Sequence, residues 1–207
     1  MTMAANRGVI APTSTSPLRI VGIGGTTRIG SSSEIALRAC LGAAEKLGAV
    51  TELFCGTDLL LPIYDPSADL HQPEVARLVA AMRRADGFLI ASPSYHGSIS
   101  GLVKNALDYT EHTRNDARPY FDGRAVGPIV CAYGWQAVGT SLVTLRSIVH
   151  ALRGWPTPLG VGINSADPVF GINGEILAPA IASSLSLMAE QVVGFARQMH
   201  ESTRQSP

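Results

Sequence analysis

Charged residues are scarce in this chain of 207 residues: Asp, Glu, Lys and Arg make up 15% of it, and the formal net charge is zero. A chain without excess positive charge lacks the electrostatic footprint of nucleic-acid-binding proteins, so no nucleic-acid partner is expected. A surface with so few charges also indicates that part of it is covered in an oligomer.

Long apolar runs, paired cysteines and clustered histidines are missing as well. No apolar run is long enough to span a bilayer, so no membrane partner is expected, and residues 1–17, without the apolar core of a signal peptide, are predicted to form a flexible arm. The three cysteines (Cys40, Cys55 and Cys131) have no CxxC spacing, and the five histidines show no metal-ligand spacing. Unpaired thiols of this kind favour a cytoplasmic location, and no metal site is expected.

Short apolar runs alternate with helical patterns over residues 18–200, and residues 201–207 are assigned to a C-terminal tail. Continuously apolar strands are typical of a parallel sheet that is covered by helices on both faces. The pattern therefore predicts one α/β domain with a five-stranded, doubly wound sheet. The predicted strands are 18–23, 49–54, 87–92, 125–132 and 156–163, and the predicted helices are 33–47, 73–84, 101–112, 140–152 and 175–200.

One stretch rich in Gly, Ser and Thr, GIGGTTRIGSSS from Gly22 to Ser33, follows the first predicted strand and opens the first helix. A helix N-terminus offers unpaired backbone N–H groups and the positive end of the helix dipole to an anion. Hydroxyl and guanidinium groups add further donors for phosphate oxygens. The stretch thus predicts a phosphate site, with donors from Thr26, Arg28, Ser31, Ser32 and Ser33.

Several phosphate motifs compete for this loop. The dinucleotide motif GxGxxG would need glycine where Thr27 stands, and no acidic residue follows the second strand. The triphosphate motif GxxxxGK[ST] would need lysine where Ser31 stands. A monophosphate held by hydroxyl and N–H groups, as in flavodoxin-like flavin sites, needs no lysine and accounts for the hydroxyls. An ordinary strand-to-helix turn with a serine N-cap stays open as an alternative.

Two other loops are expected beside the first, because loops after strands one, three and four converge where the strand order reverses. After strand three, Tyr95 offers a flat apolar contact for a flavin ring, and Gly97 lets the backbone approach it closely. Tyr133 and Gly134, after strand four, are predicted to flank the same pocket. Trp135 fits either this pocket or the core of a dimer interface.

The segment PSYHGSISGLVKNALD, from Pro93 to Asp108, closely resembles the P-E-Y-N-G-S-x-P-G-x-x-K-N-A-x-D signature of the NADPH-dependent FMN reductase family. The loop from Gly25 to Ser33 is similar to the G-S-x-R-x-x-S-x-N phosphate loop of that family. The resemblance implies that the FMN phosphate is bound by Thr26, Arg28, Ser31 and Ser33. It implies that the flavin ring is lined by Pro93, Ser94, Tyr95, His96 and Gly97. The departures are Ser33 for Asn, Ser94 for Glu, His96 for Asn and Ser100 for Pro.

The resemblance also implies a flavodoxin-like fold, a homodimer or homotetramer, and an oxidoreductase activity. The implied reaction passes hydride from NADPH, or NADH as an alternative donor, to FMN, without a catalytic protein residue. The reduced flavin would then serve a second acceptor or a flavin-dependent monooxygenase. The rival functions are a quinone or azo-type reductase with tightly bound FMN and a non-enzymatic flavodoxin-type carrier, which the zero net charge disfavours.

Three arginines, Arg114, Arg118 and Arg124, lie in a polar stretch before the fourth strand. We expect this stretch on the side where the flavin edge opens. Because guanidinium groups suit a phosphate well, Arg114 or Arg118 is predicted to contact the 2′-phosphate of NADPH.

Overall fold

The computed structural model describes residues 16–67 and 72–205, so residues 1–15 of the predicted arm and the last two residues of the predicted tail lie outside the described residues. The strands are β1 Arg19–Gly24, β2 Val50–Phe54, β3 Gly87–Tyr95, β4 Ser98–Ile99, β5 Ala125–Ala132, β6 Trp155–Pro156 and β7 Val161–Asn164. The helices are α1 Ser32–Lys46, α2 Pro73–Arg84, α3 Gly101–Asp108, α4 Trp135–Ala151 and α5 Pro179–Gln205, with 3-10 helices at Gly56–Leu59 and Tyr109–Thr113.

The parallel sheet has the order β2-β1-β3-β5-β6, and β7 also pairs with β5 in parallel. β6 and β7 thus share one fifth position. β1 lies between β2 and β3, so the direction in which strands are added reverses beside it. This arrangement confirms the predicted doubly wound, flavodoxin-like sheet.

Helices cover both faces of the sheet, because successive side chains of a strand point to opposite faces. From β1, Ile20 packs among the buried side chains of α1 and α5, whereas the next residue, Val21, packs among those of α2, α3 and α4. From β3, Leu89 joins the first group and Phe88 joins the second. The strands are continuously apolar because helices bury the sheet on both faces.

The predicted fifth strand, 156–163, is interrupted in the structure. Pro156 and Pro158 have no N–H group to donate to a neighbouring strand. Thr157 still donates its N–H to the carbonyl oxygen of Val126 at 2.9 Å, but its hydroxyl turns to the carbonyl oxygen of Leu159 at 2.7 Å. The chain therefore pairs with β5 twice, before and after a short irregular stretch.

Three helices differ from their predicted bounds by more than one residue. The predicted helix 101–112 is α-helical only to Asp108 and continues as the 3-10 helix Tyr109–Thr113. α4 begins at Trp135 instead of after Gly139, because Gly134 has a positive φ of 100° and turns the chain directly into the helix. α5 begins at Pro179 and continues to Gln205, so most of the segment predicted as a C-terminal tail is helical. Within the described ranges, no helix combines the length and apolar character needed to cross a bilayer.

Candidate active site

The end of β1 meets β3 without room for a side chain. Gly24 has a φ of 152°, and a Cβ built there would lie 2.0 Å from the carbonyl oxygen of Ala91. The next residue, Gly25, donates its N–H to that same oxygen at 3.1 Å. Only glycine allows this approach, which places the start of the Gly/Ser/Thr loop against the carboxyl end of β3.

The loop ends in a capped helix. Ser31 is the N-cap of α1, and its Oγ accepts a hydrogen bond from the N–H of Glu34 at 3.4 Å. At the other end of the loop, Oγ1 of Thr26 accepts from the N–H of Arg28 at 3.0 Å. In the described part of the chain, no protein acceptor receives the backbone N–H groups of Ser31, Ser32 or Ser33. The first turn of α1 therefore keeps free donors for an anion.

A cleft of about 410 Å³ opens above this helix turn, at the carboxyl ends of β1, β3 and β5. The predicted site residues that line it are Thr26, Arg28, Ser31, Ser32, Ser33, Pro93, Ser94, Tyr95 and Tyr133. The predicted residues that the cleft does not include are His96, Gly97 and Gly134. The fold thus brings the phosphate-type donors and two tyrosines to one opening.

His96 and Gly97 form the tip of a β-hairpin instead of the cleft wall. β3 and β4 pair in antiparallel fashion, with Tyr95 opposite Ser98. The two residues between them have positive φ values, 52° for His96 and 83° for Gly97. This is the geometry of a type I′ turn, in which Asn-Gly is the favoured pair. The Asn-Gly of the family signature and the His-Gly of this chain therefore satisfy the same backbone requirement, since His tolerates positive φ better than most residues.

Gly134 lies beside the cleft, and a residue at the end of β7 holds it in place. Its N–H donates to Oδ1 of Asn164 at 2.8 Å, and the same oxygen accepts from the N–H of Ala166 at 3.2 Å. Asn164, at the end of β7, therefore fixes the position of the loop that carries Tyr133. Sequence reasoning missed this role, because Asn164 is thirty residues away in the chain.

Four further residues line the cleft that were not among the predicted site residues: Thr27, Cys131, Ala132 and Ser165. Cys131 and Ala132 end β5, and the N–H of Ser165 donates to the carbonyl oxygen of Ala132 at 2.8 Å. The rule that ligands sit at the carboxyl ends of parallel strands points to these positions. Ser165 was missed because only the loops after strands one, three and four were expected at the cleft, whereas Ser165 follows β7.

Ser94 stands where the family signature has Glu, and its hydroxyl is paired inside the protein. Oγ of Ser141, a fully buried residue of α4, donates to Oγ of Ser94 at 2.7 Å. The cleft wall at this point therefore offers a neutral hydroxyl pair in place of a carboxylate. The helix behind it is tied to the end of β3.

The cleft contains flat side chains and an inert thiol. Tyr95 is 53% exposed and Tyr133 is 83% exposed, so both rings are open to a ligand. Burial raises the pKa of Cys131 to about 12, so the thiol is protonated at neutral pH and is a poor nucleophile. Within residues 16–67 and 72–205, no group of three or more His, Cys, Asp or Glu side chains is placed to hold a metal ion.

The arginines proposed for NADPH lie at the other end of the sheet, so the expectation that they stand on the side where the flavin edge opens is wrong. Arg118 faces Asp86 at 3.7 Å, and Asp86 accepts from the N–H of Arg19, the first residue of β1, at 2.9 Å. Arg114 pairs with Glu111 at 3.3 Å. β1 runs from this end of the sheet to the cleft. The two arginines therefore lie about one strand length from the cleft, roughly 16 Å.

Arg124 is part of the fold at that same end. It is 1% exposed, and its guanidinium donates to the carbonyl oxygens of Tyr120 and Arg83. Burial lowers the pKa of Arg124 to about 10. It is therefore a structural cation and is not available to a nucleotide.

Comparison with known proteins agrees with these features. The profile of the family described as NADPH-dependent FMN reductase matches residues 18–167. The chain is 31% identical over 196 residues to a probable NADPH:quinone oxidoreductase 2 of Oryza sativa subsp. japonica, covering 90% of this chain and 93% of the relative. It is 29% identical over 161 residues to an NAD(P)H-dependent FMN reductase of Pseudomonas aeruginosa, and the match covers 77% of this chain and 85% of that relative.

A solved structure shows the same fold at low identity. FerB, a flavoenzyme NAD(P)H:(acceptor) oxidoreductase of Paracoccus denitrificans, matches 88% of this chain and 98% of its own with a TM-score of 0.69 and 18% identity. The hydroxyl-rich helix turn, the Tyr95 hairpin and the family profile lead to one conclusion. This chain belongs to the NADPH-dependent FMN reductase family, a family of oxidoreductases.

Proposed function

We propose that this protein is an NAD(P)H-dependent FMN reductase that binds FMN in the cleft between the first turn of α1 and the tyrosines Tyr95 and Tyr133. The observation that carries the proposal is the combination of free N–H groups, serine hydroxyls and exposed aromatic rings in one opening. The donors suit a phosphate, and the rings suit a flat heterocycle. The residues present therefore fit FMN.

Each part of the cleft has a separate task in this proposal. Thr26, Arg28, Ser31 and Ser33 hold the phosphate with hydroxyl and guanidinium donors, and Pro93 and Tyr95 flank the ring. When FMN is bound, the chemistry it supplies is acceptance of a hydride from the nicotinamide and delivery of two electrons to an acceptor. The protein orients both partners, and the neutral thiol of Cys131 keeps a second charge away from the ring.

The identity of the final acceptor divides the proposal into two forms. In one, reduced flavin leaves and serves a flavin-dependent monooxygenase. In the other, FMN would stay bound, and the two electrons received from the nicotinamide would pass to a quinone or an azo compound. The 31% identity to a probable quinone oxidoreductase favours this form. Tyr133 lines the cleft and is 83% exposed, so its ring can also contact an aromatic acceptor.

We also propose that the protein forms a homodimer or homotetramer in the cytoplasm. Two large apolar side chains of α4 are exposed, Trp135 at 61% and Val143 at 65%. Unpaired Cys40, Cys55 and Cys131 suit a reducing compartment that also supplies NADPH. Light scattering at micromolar concentration tests the assembly: a particle of 21.7 kDa, the mass of one chain, would contradict it.

The activity itself is tested by the absorbance spectrum of purified protein and by steady-state oxidation of NADPH and NADH with added FMN. The proposal predicts FMN-dependent oxidation with saturation at micromolar FMN, and faster turnover with NADPH than with NADH. Nucleotide oxidation at the rate of a protein-free control would reject it. Flavin that remains bound through gel filtration would favour the form with a resident cofactor.

A further inference from the structure

A buried carboxylate lies directly beneath the phosphate loop. Glu34, on the first turn of α1, is 4% exposed, and its Oε2 accepts a hydrogen bond from the N–H of Gly30 at 3.1 Å. At the other end of the loop, its Cβ lies 3.4 Å from the position that a Cβ on Gly25 would occupy. Glu34 therefore holds the Gly30 end of the loop that carries Thr26 and Arg28, and its Cβ lies near Gly25 at the other end.

The hydrogen bond of Glu34 differs from the usual capping arrangement. A Glu three residues after a serine N-cap normally accepts from the N–H of that serine. Here the carboxylate reaches one residue further back, to Gly30, while the N–H of Ser31 keeps no protein acceptor among the described residues. The shift holds the loop in place and leaves the N-cap donor free for a ligand.

A carboxylate in this position would repel a phosphate unless its charge were balanced. Arg38, one turn along α1, donates through Nε to Oε1 of Glu34 at 2.8 Å. The thiol of Cys55, at the end of β2, donates to that same oxygen at 3.7 Å and accepts from Nη2 of Arg38 at 3.4 Å. The hydrogen bond to Glu34 raises the pKa of Arg38, so the guanidinium keeps its charge.

We propose that Glu34 is a positioning residue for the FMN phosphate, and that Arg38 neutralises it. Glu34 fixes Gly30 through its carboxylate, so that the hydroxyl and N–H donors on either side of Gly30 converge on one phosphate group. Arg38 removes the repulsion that an unpaired carboxylate would exert on that phosphate. This inference rests on the proposed function, because it needs FMN in the cleft.

The test compares FMN with riboflavin, which has the same ring and no phosphate. Glu34→Ala removes the acceptor of the Gly30 N–H, and we expect the Kd for FMN to rise about tenfold or more while the Kd for riboflavin changes little. Glu34→Gln retains an acceptor and is expected to stay close to wild type. Glu45→Ala, which removes a carboxylate about 16 Å further along the same helix, serves as the matched control.

A second pair of variants tests the charge balance and does not depend on the stability of Glu34→Ala. Arg38→Ala leaves the carboxylate unpaired, so FMN affinity should fall about fivefold to tenfold at low salt and recover when Glu34→Gln is added. Cys55→Ala keeps both the carboxylate and the guanidinium and should bind FMN like wild type.

Several outcomes would overturn the inference. These are unchanged or tighter FMN binding by Glu34→Ala, an equal loss for FMN and riboflavin, or no recovery in the Arg38→Ala, Glu34→Gln double variant. Failure of the proposed function has a different signature, because wild-type protein would then show no preference for FMN over riboflavin. Flavin fluorescence quenching measures all of these affinities.

Discussion

At the residue scale, the candidate site consists of small donors and not of acids and bases. Ser31 and Ser33 are 3% and 2% exposed, and their hydroxyl oxygens lie 3.5 Å apart at the floor of the cleft. Arg28 is exposed above them. This division places the neutral donors where water is excluded and leaves the cation at the rim, where it can move to meet a phosphate.

The first prediction concerns these donors. Arg28→Ala removes a charge-assisted contact, and the FMN complex should weaken by about 1.5–3 kcal/mol. Ser31→Ala should weaken it less, because it removes one neutral donor, but it should also destabilise the protein by about 1 kcal/mol through loss of the N-cap. FMN titrations and denaturant unfolding measure the two effects. Unchanged FMN affinity in both variants would remove the phosphate from this loop.

The second prediction concerns pH. Burial raises the pKa of both Cys40 and Cys131 from an ordinary value of 9.0 to about 12. A group with a raised folded-state pKa contributes stability that is fully present below its unfolded pKa and is lost as the pH rises towards the folded pKa. The free energy of unfolding should therefore fall between about pH 9 and pH 12, by up to ~1.4 kcal/mol per pH unit for each thiol.

Other groups titrate in that range, so the control is a comparison of variants. A Cys40→Ala, Cys131→Ala double variant should lose less stability than wild type between pH 9 and the highest pH at which both still fold. Parallel curves for the two proteins would contradict the account. At pH 7, iodoacetamide should label Cys55 before the other two, since only Cys55 is partly exposed.

Site residues could be identified from the sequence where they belong to a local motif. Thr26, Ser31 and Ser33 follow one another along the chain, so their convergence needs only a strand and a helix. Asn164 and Ser165 reach the cleft through a strand that pairs with β5 far from them in sequence. No local pattern carries that information, because it depends on the order of strands in the sheet.

At the element scale, the hairpin formed by β3 and β4 explains a change from the family signature. The sequence predicts a loop from Pro93 to Ser100, because Ser, Gly and Pro are frequent there. The structure instead continues β3 to Tyr95 and returns through Ser98 and Ile99. Ser92 secures this turn: its Oγ accepts from the N–H of Ser100 at 2.9 Å. A two-residue turn followed by the two-residue strand β4 is too brief to leave a pattern of alternating residues.

The third prediction tests that hairpin. His96 has a φ of 52°, a region that asparagine enters easily and β-branched residues do not. His96→Val should therefore reduce the free energy of unfolding by about 1–2 kcal/mol, whereas His96→Asn should leave it unchanged or raise it slightly. Urea denaturation of the two variants decides this, and equal stabilities would mean that the turn is not strained by its side chain.

Element boundaries were harder to predict than element order. α2 and the strand β5 have the predicted bounds, since Pro73 and a fully apolar run mark them. α4 begins within the stretch from Tyr133 to Gly139 that the sequence predicts as a loop, because Gly139 lies on an exposed face of the helix and does not break it. Glycine alone is a weak signal for a loop when a helix packs against a sheet.

At the scale of the whole molecule, the two ends of the sheet have different roles. The carboxyl ends of the strands carry the cleft. The amino ends carry an ionic cluster, in which Asp86 contacts the N–H of Arg19 at 2.9 Å, His200 at 2.8 Å and Arg118 at 3.7 Å. This cluster joins α5 to the starts of β1 and β3, so its function is structural.

The fourth prediction follows from that separation. An Arg114→Ala, Arg118→Ala double variant should keep the KM for both NADPH and NADH, because these side chains lie at the amino end of the sheet. Asp86 keeps its contacts with the N–H of Arg19 and with His200, so loss of the partly exposed Arg118 at 3.7 Å should cost less than about 1 kcal/mol of stability. A rise in KM for NADPH alone would show that the adenosine phosphate reaches this end of the molecule.

Anaerobic mixing of the FMN-loaded protein with NADPH, followed by the visible absorbance of the flavin, shows whether FMN bound in this cleft is reduced. A reductase with FMN in this cleft should bleach the flavin with one NADPH per FMN, and NADPH deuterated at the transferred position of C4 should slow that bleaching. An unchanged flavin spectrum after mixing, at concentrations where FMN is fully bound, would contradict the account.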